Sequence, residues 1–381
     1  MPNPQQPEIR RSGRSPVDES ATKEALTAQE TPPVREDGHP VPEDNVPGHH
    51  PEHEQDKPVA RFRQRAARVV DEAHTRQHAV RERELDLGPL RFDALECGRE
   101  GDELVLLLHG FPQLSSAWRP LLEELGANGY HAVAPDQRGY SPGAQPPGVG
   151  SYRLSELVDD VLRMADALGA RRFHLVGHDW GGIVGWAVAT TAPSRLLSLS
   201  VVSTPHPRAY LGSLLRSPQI LRSGYIAFFS MPVVPELVLG SAGGTLLRRA
   251  LTASGLPEDV AGQYVEELQR RRALGPALNW YRALSRSRPM VGPVEVPTLY
   301  VWSDGDTALG GAAARATARQ VRGPYRFEVL HGVSHWIPET APDELGRMVL
   351  EHLQSVGQGS GGTGRDVLTN ERSAPGEASA G

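Results

Sequence analysis

At 381 residues, 39% of them hydrophobic, the chain is long enough to bury a full α/β core plus an insertion once its polar ends are discounted. A formal net charge of −6 gives no general affinity for nucleic acid, and no stretch approaches the apolar length that stable membrane insertion needs. The single Cys97 cannot form an internal disulfide, and no apolar run follows the first charged residues as a secretory signal requires, so a cytoplasmic location is expected.

Residues 1–58 are rich in Pro, Glu, Gln and isolated charges without periodicity, and are expected to be a disordered arm. His49, His50 and His53 read as solvated low complexity, because no Cys or regular helix completes a ligand set, so no metal is expected. Over 59–79, Phe62, Ala66, Val69, Val70 and Ala73 fall on one helical face among arginines, which suggests a short basic helix.

A core begins at about residue 80 with two extended stretches, 81–87 and 90–96, around the turn-forming Gly88-Pro89. The apolar run 104–108 reads as a central strand, 118–125 as the helix after it, 131–135 as a strand and 154–168 as a helix. Residues 173–176 form another short apolar run, 181–189 return to helical spacing until Pro193, and Val201-Val202 end a further strand. Alternation then breaks over 205–291, where 260–274 and 277–284 read as helices. It resumes over 292–356 with strands at 299–302 and 327–330. The Gly- and Ser-rich 357–381 is expected to be a disordered tail. The fold class is therefore α/β: a mostly parallel sheet flanked by helices, with a helical cap inserted after a core strand.

The chemistry centres on Gly177-His-Asp-Trp-Gly181, where glycines stand two residues before and two after Asp179 between a strand and a helix. That is the nucleophile-elbow pattern with Asp in place of Ser. A carboxylate with an unperturbed pKa of about 3.9 is charged at neutral pH and can attack a saturated carbon without help. Freeing the resulting ester needs a water, a general base and an oxyanion site. His335, just after the last predicted strand, is the candidate base, with His331 its rival. Asp306 in Trp302-Ser-Asp-Gly-Asp306 is the candidate orienting acid, with Asp304 the alternative; the earlier strand end, Val201-Val-Ser-Thr204, carries no acid. The backbone N–H groups of Trp180 and Phe111 are the candidate oxyanion donors. His178, His131 and His174 read as structural, and Asp136 and Arg138 as turn and ion-pair support.

With His109-Gly-Phe-Pro112, Gly177-His-Asp-Trp-Gly-Gly182 and Ser334-His-Trp336 in this order, the chain from about residue 80 to 353 resembles the α/β-hydrolases, and among them the soluble epoxide hydrolases. The resemblance implies the α/β-hydrolase fold, a small apolar epoxide as substrate, a vicinal diol as product and no cofactor. It also implies two cap tyrosines that protonate the opening ring oxygen; Tyr225 and Tyr281 match them, with Ile226 standing where a Gln often follows the first. A departing bare alkoxide in a dry pocket would be costly, which is why donors are needed.

Other readings of the same elbow fit less well. A haloalkane dehalogenase resembles this chain at Asp179 and Trp180, but commonly has an Asn where Phe111 lacks a side-chain donor. A fluoroacetate dehalogenase would place an Arg at the Trp180 position, and a serine esterase has no Ser at the elbow. A non-catalytic binding module would not need nucleophile, acid and base positions together.

Overall fold

The computed structural model describes residues 79–214, 224–287 and 292–360. The expected N-terminal arm, all but the last residue of the expected basic helix, and the chain from 361 onward lie outside the described residues. Eight strands form one sheet in the order β1-β2-β4-β3-β5-β6-β7-β8: β1 Arg81–Asp86, β2 Arg91–Cys97, β3 Glu103–Leu108, β4 Tyr130–Pro135, β5 Phe173–His178, β6 Leu196–Val202, β7 Thr298–Ser303 and β8 Tyr325–Leu330. The first pair is an antiparallel hairpin, turned at Gly88 with φ of 84°. β2 also meets β4 antiparallel, and every later pairing is parallel.

Between the strands run α1 Arg119–Ala127, α2 Leu154–Ala167 and α3 Trp180–Thr191. The described part of the stretch between β6 and β7 is helical: α4 Pro207–Leu214, α5 Gly224–Ser230, α6 Val234–Gly240, α7 Thr245–Ala253, α8 Glu258–Arg270 and α9 Leu274–Ala283. After β7 come α10 Gly311–Ala316, then α11 Ile337–Thr340 and α12 Pro342–Ser360 behind β8. No single helix among the described residues is long and apolar enough to cross a membrane.

Period-two alternation assigns the two faces of the sheet. Leu104, Leu106 and Leu108 of β3 join Val161 and Met164 of α2 and Val184 and Val188 of α3 in one apolar cluster. Val105 and Leu107 point the other way, into a cluster with Leu121 and Leu125 of α1 and Leu345, Val349 and Leu353 of α12. The central strands are thus buried on both faces, which is why they read as continuous apolar runs.

The two largest departures from the expected boundaries are at helix ends. The helix expected over 260–274 stops at Arg270, because Arg272 takes a left-handed φ of 54° and Leu274 begins the next helix. At the other end α12 runs through Ser360, past the start of the expected tail, its inner face docked through Leu350 and Leu353.

Candidate active site

Asp179 caps α3 with φ of 49° and ψ of −116°, a conformation that side chains rarely adopt and that the surroundings must hold in place. The glycines make that possible by letting backbones touch. A Cβ on Gly181 would lie 2.0 Å from the carbonyl oxygen of Leu108, and one on Gly110 would lie 2.3 Å from Cβ of Asp179. Thr204 Oγ1 donates to the Asp179 carbonyl at 2.9 Å and fixes the turn from the end of β6.

The Asp179 side chain therefore projects above the sheet, where Phe111 N–H donates to its Oδ1 at 2.9 Å. The N–H of Trp180 also bonds the carboxylate. Its Oδ2 stands 3.9 Å from Nε2 of His335, and Nδ1 of His335 lies 2.7 Å from Oδ2 of Asp306. Asp306 is itself oriented: its Oδ1 accepts N–H bonds from Ala308 and Leu309 at 2.7 and 2.8 Å. Asp304 lies elsewhere. It binds the exposed His331 at 2.7 Å and takes the Gly332 N–H, so the two alternatives pair with each other on the surface.

Two backbone-directed bonds hold the His335 peptide: Ser203 Oγ donates to its carbonyl at 2.8 Å, and His178 Nε2 faces it at 2.9 Å. The other expected structural histidines are also bound in the core, His131 to Glu96 and His174 to Ser198 and Glu103. His109 is buried and accepts the Gln137 N–H, and burial pushes its pKa down to about 4, so it stays neutral. Arg138 grips Asp160 with two bonds of 2.7 and 2.6 Å.

The inserted helices close over this end of the sheet. Tyr281 of α9 packs edge-on against Trp180 and Phe111, with ring centroids 5.1 and 5.5 Å away, and Tyr225 of α5 lies 6.4 Å from it. Burial, then the Asp179 charge, push both phenols well above their ordinary pKa, so both stay neutral. Trp280 Nε1 donates to the Arg138 carbonyl at 2.8 Å, Trp336 Nε1 to Ser254 Oγ at 2.9 Å, and Arg271 joins Asp136 and Asp93 at 2.8 and 3.2 Å.

Burial would lower the pKa of His335, but the Asp306 charge and hydrogen bond, then Asp179 and Glu339, raise it to about 9. At Asp179 opposing influences meet. Burial raises its pKa, opposed by the His335 charge and the N–H groups of Phe111 and Trp180. At neutral pH His335 is therefore an imidazolium.

Sequence reasoning missed Gln113, Tyr264 and Glu339. Gln113 Oε1 accepts the Gly110 N–H at 2.8 Å, and its Nε2 donates to Glu339 Oε1 at 2.7 Å. Tyr264 of α8 donates to that same oxygen at 2.7 Å. The one available signal was an acidic residue four positions after His335 on a short apolar turn. Among the described residues no cluster of three or more His, Cys, Asp or Glu is arranged to hold a metal ion.

Residues 105–347 match the model of the alpha/beta hydrolase family. The chain is 35% identical over 267 residues to the AB hydrolase superfamily protein YfhM of Bacillus subtilis, covering 68% of this chain and 93% of that protein. It is 32% identical over 276 residues to Epoxide hydrolase 3 of Xenopus tropicalis, covering 70% of this chain and 75% of that protein. The crystal structure of Epoxide Hydrolase A from Mycobacterium thermoresistibile superposes with a TM-score of 0.63 at 28% identity, covering 72% of this chain and 98% of that one. A family model spanning well over half the sequence, and relatives matched along most of their length, lead to one assignment: the chain belongs to the alpha/beta hydrolase family and within it is epoxide hydrolase-like.

Proposed function

We propose that this chain hydrolyses a small apolar epoxide to a vicinal diol through an ester of Asp179. The observation that carries the reading is the Asp179 carboxylate itself, with Oδ1 on the Phe111 N–H, Oδ2 3.9 Å from His335, and the phenols of Tyr281 and Tyr225 close by. The helices described between β6 and β7 act as a cap that brings those phenols to the core.

In the first step Oδ2 attacks a ring carbon, the carbon–oxygen bond breaks, and its electron pair goes to the ring oxygen. That oxygen takes a proton from Tyr281 or Tyr225, leaving a phenolate, and the proton that the His335 imidazolium then gives up restores the phenol. The product is a hydroxyalkyl ester, and the carboxylate charge is gone. Since Asp179 is one of the charges raising the pKa of His335, its neutralisation lowers that pKa and turns the imidazolium towards its basic form.

In the second step neutral His335 takes a proton from water as the hydroxide oxygen adds to Cγ of Asp179. Negative charge develops on Oδ1, which already receives the Phe111 N–H, so stabilisation requires no rearrangement. Collapse breaks the Cγ–Oδ2 bond, and the departing alkoxide takes the proton from His335. The diol leaves with an oxygen from Asp179, the water oxygen stays in that carboxyl group, and the group's proton passes to His335, which restores the carboxylate and the imidazolium.

A single turnover of styrene oxide by excess enzyme in heavy-oxygen water tests this. The label should enter Asp179 and be absent from the diol. Label in the diol with none in Asp179 would mean direct attack by water and would remove the ester.

A further inference from the structure

Glu339 has a place in the site that the steps above do not use. Its Oε1 accepts two bonds, from Gln113 Nε2 and from Tyr264 Oη, each 2.7 Å long. Its Oε2 is buried and has no hydrogen-bond partner among the described residues. A buried carboxylate oxygen left bare costs free energy, so such a group calls for a role.

The bonds lead in two directions. Gln113 is held by Glu339 through its amide nitrogen, which aims its Oε1 at the Gly110 N–H and at His178 Nδ1, 2.8 and 2.7 Å away. Gly110 immediately precedes the Phe111 N–H, and the other nitrogen of His178 faces the His335 carbonyl. Tyr264 belongs to α8 of the inserted segment, so one carboxyl oxygen joins that segment to the loop bearing the oxyanion donor. Glu339 itself sits on α11, one turn beyond His335.

We propose that Glu339 is a positioning residue for the second step: through Gln113 it orients the Phe111 loop and the His178 support, and through its charge it sets how readily His335 accepts a proton. This rests on the ester mechanism proposed above. The groups acting on His335 are Asp306 at 2.7 Å, Asp179 at 3.9 Å, Glu339, and His178 with ring centroids 4.8 Å apart. Burial and the His335 charge keep His178 well below its ordinary pKa, so it adds no opposing charge. On Glu339, burial outweighs the bonds from Gln113 and Tyr264 and the His335 charge, raising its pKa to about 7. Its charge is therefore switched on across the neutral range.

The sign of the effect follows. An ionised Glu339 favours imidazolium and holds back the base; a neutral one releases it. Glu339→Gln keeps an acceptor for Gln113 and Tyr264 but never ionises.

Stopped-flow measurement of ester formation and ester hydrolysis with styrene oxide, from acid to alkaline pH, tests the assignment in wild type, Glu339→Gln, Tyr264→Phe and Asp304→Asn. The acid limb of ester hydrolysis should move to lower pH in Glu339→Gln by about half a unit or more. Asp304→Asn, which removes a surface carboxylate, should overlay wild type, and Tyr264→Phe should slow ester hydrolysis more than ester formation. A Glu339→Gln limb that overlays wild type, or a shift equally large in Asp304→Asn, would overturn the assignment. Failure of wild type to form any ester would instead strike the proposed function.

Discussion

Replacing His335 with Gln should separate the two chemical steps. The imidazole Nε2 is 3.9 Å from Asp179 Oδ2, beyond the 2.7–3.2 Å of a direct N–H···O bond, so that nitrogen is left to meet a water. Ester formation needs the carboxylate and the phenols, and the Phe111 bond to Oδ1 does not pass through His335. Ester hydrolysis does need it. Loss of a general base costs about 10²–10⁴-fold in that step, or about 3–5 kcal/mol of barrier. Removing the imidazolium also removes the charge that draws the Asp179 pKa down, so the comparison belongs at mildly alkaline pH where Asp179 stays ionised. Mixed with styrene oxide, His335→Gln should form about one equivalent of adduct and then nearly stop. Intact-mass analysis should find the protein heavier by one substrate, with the increment on the peptide containing Asp179. Steady turnover within tenfold of wild type, with no adduct, would refute the assignment of the base.

Tyr281→Phe and Tyr225→Phe should each slow ester formation by about tenfold, and the double substitution by about 10²–10⁴-fold, because each phenol can cover part of the other's loss; a double variant with wild-type ester formation would exclude them as donors. Stability should also depend on pH. The His335 pKa is raised from 6.5 to about 9 in the folded state, so its contribution is fully present below pH 6.5 and disappears as pH rises through 9. The loss amounts to about 3 kcal/mol, seen in urea unfolding of wild type as a slope that His335→Gln lacks. Equal slopes in the two proteins would contradict the raised pKa.

Much of this architecture is local and therefore readable from the chain. The runs at Leu104–Leu108 and 173–176 are apolar because their strands are covered on both faces, and the glycines around Asp179 follow from backbones in contact there. Asp306 and His335 follow strand ends, so their approach to Asp179 was legible from chain order. Choosing Asp306 over Asp304 was not settled by position alone; it depends on how the loop after β7 winds, with Ala308 and Leu309 turning their N–H groups onto Asp306. The Gln113–Glu339 bond spans 226 residues and Tyr264–Glu339 spans 75, and no periodicity encodes such meetings. The break at Arg272 escaped for a similar reason. Its left-handed backbone stands next to Arg271, whose partners Asp136 and Asp93 are far away in the chain.

That reach has a consequence for recombining parts. Arg271 arrives from the inserted helices, while its acidic partners Asp93 and Asp136 come from β2 and from the loop after β4, some 178 and 135 positions earlier. A graft of residues 205–291 onto a foreign scaffold would carry the guanidinium, only 14% exposed, with Glu267 at 3.0 Å but without the two acids that tie it to the core. Chimaeras should therefore exchange three segments together, and a scaffold lacking acids at both positions should reject the transplant.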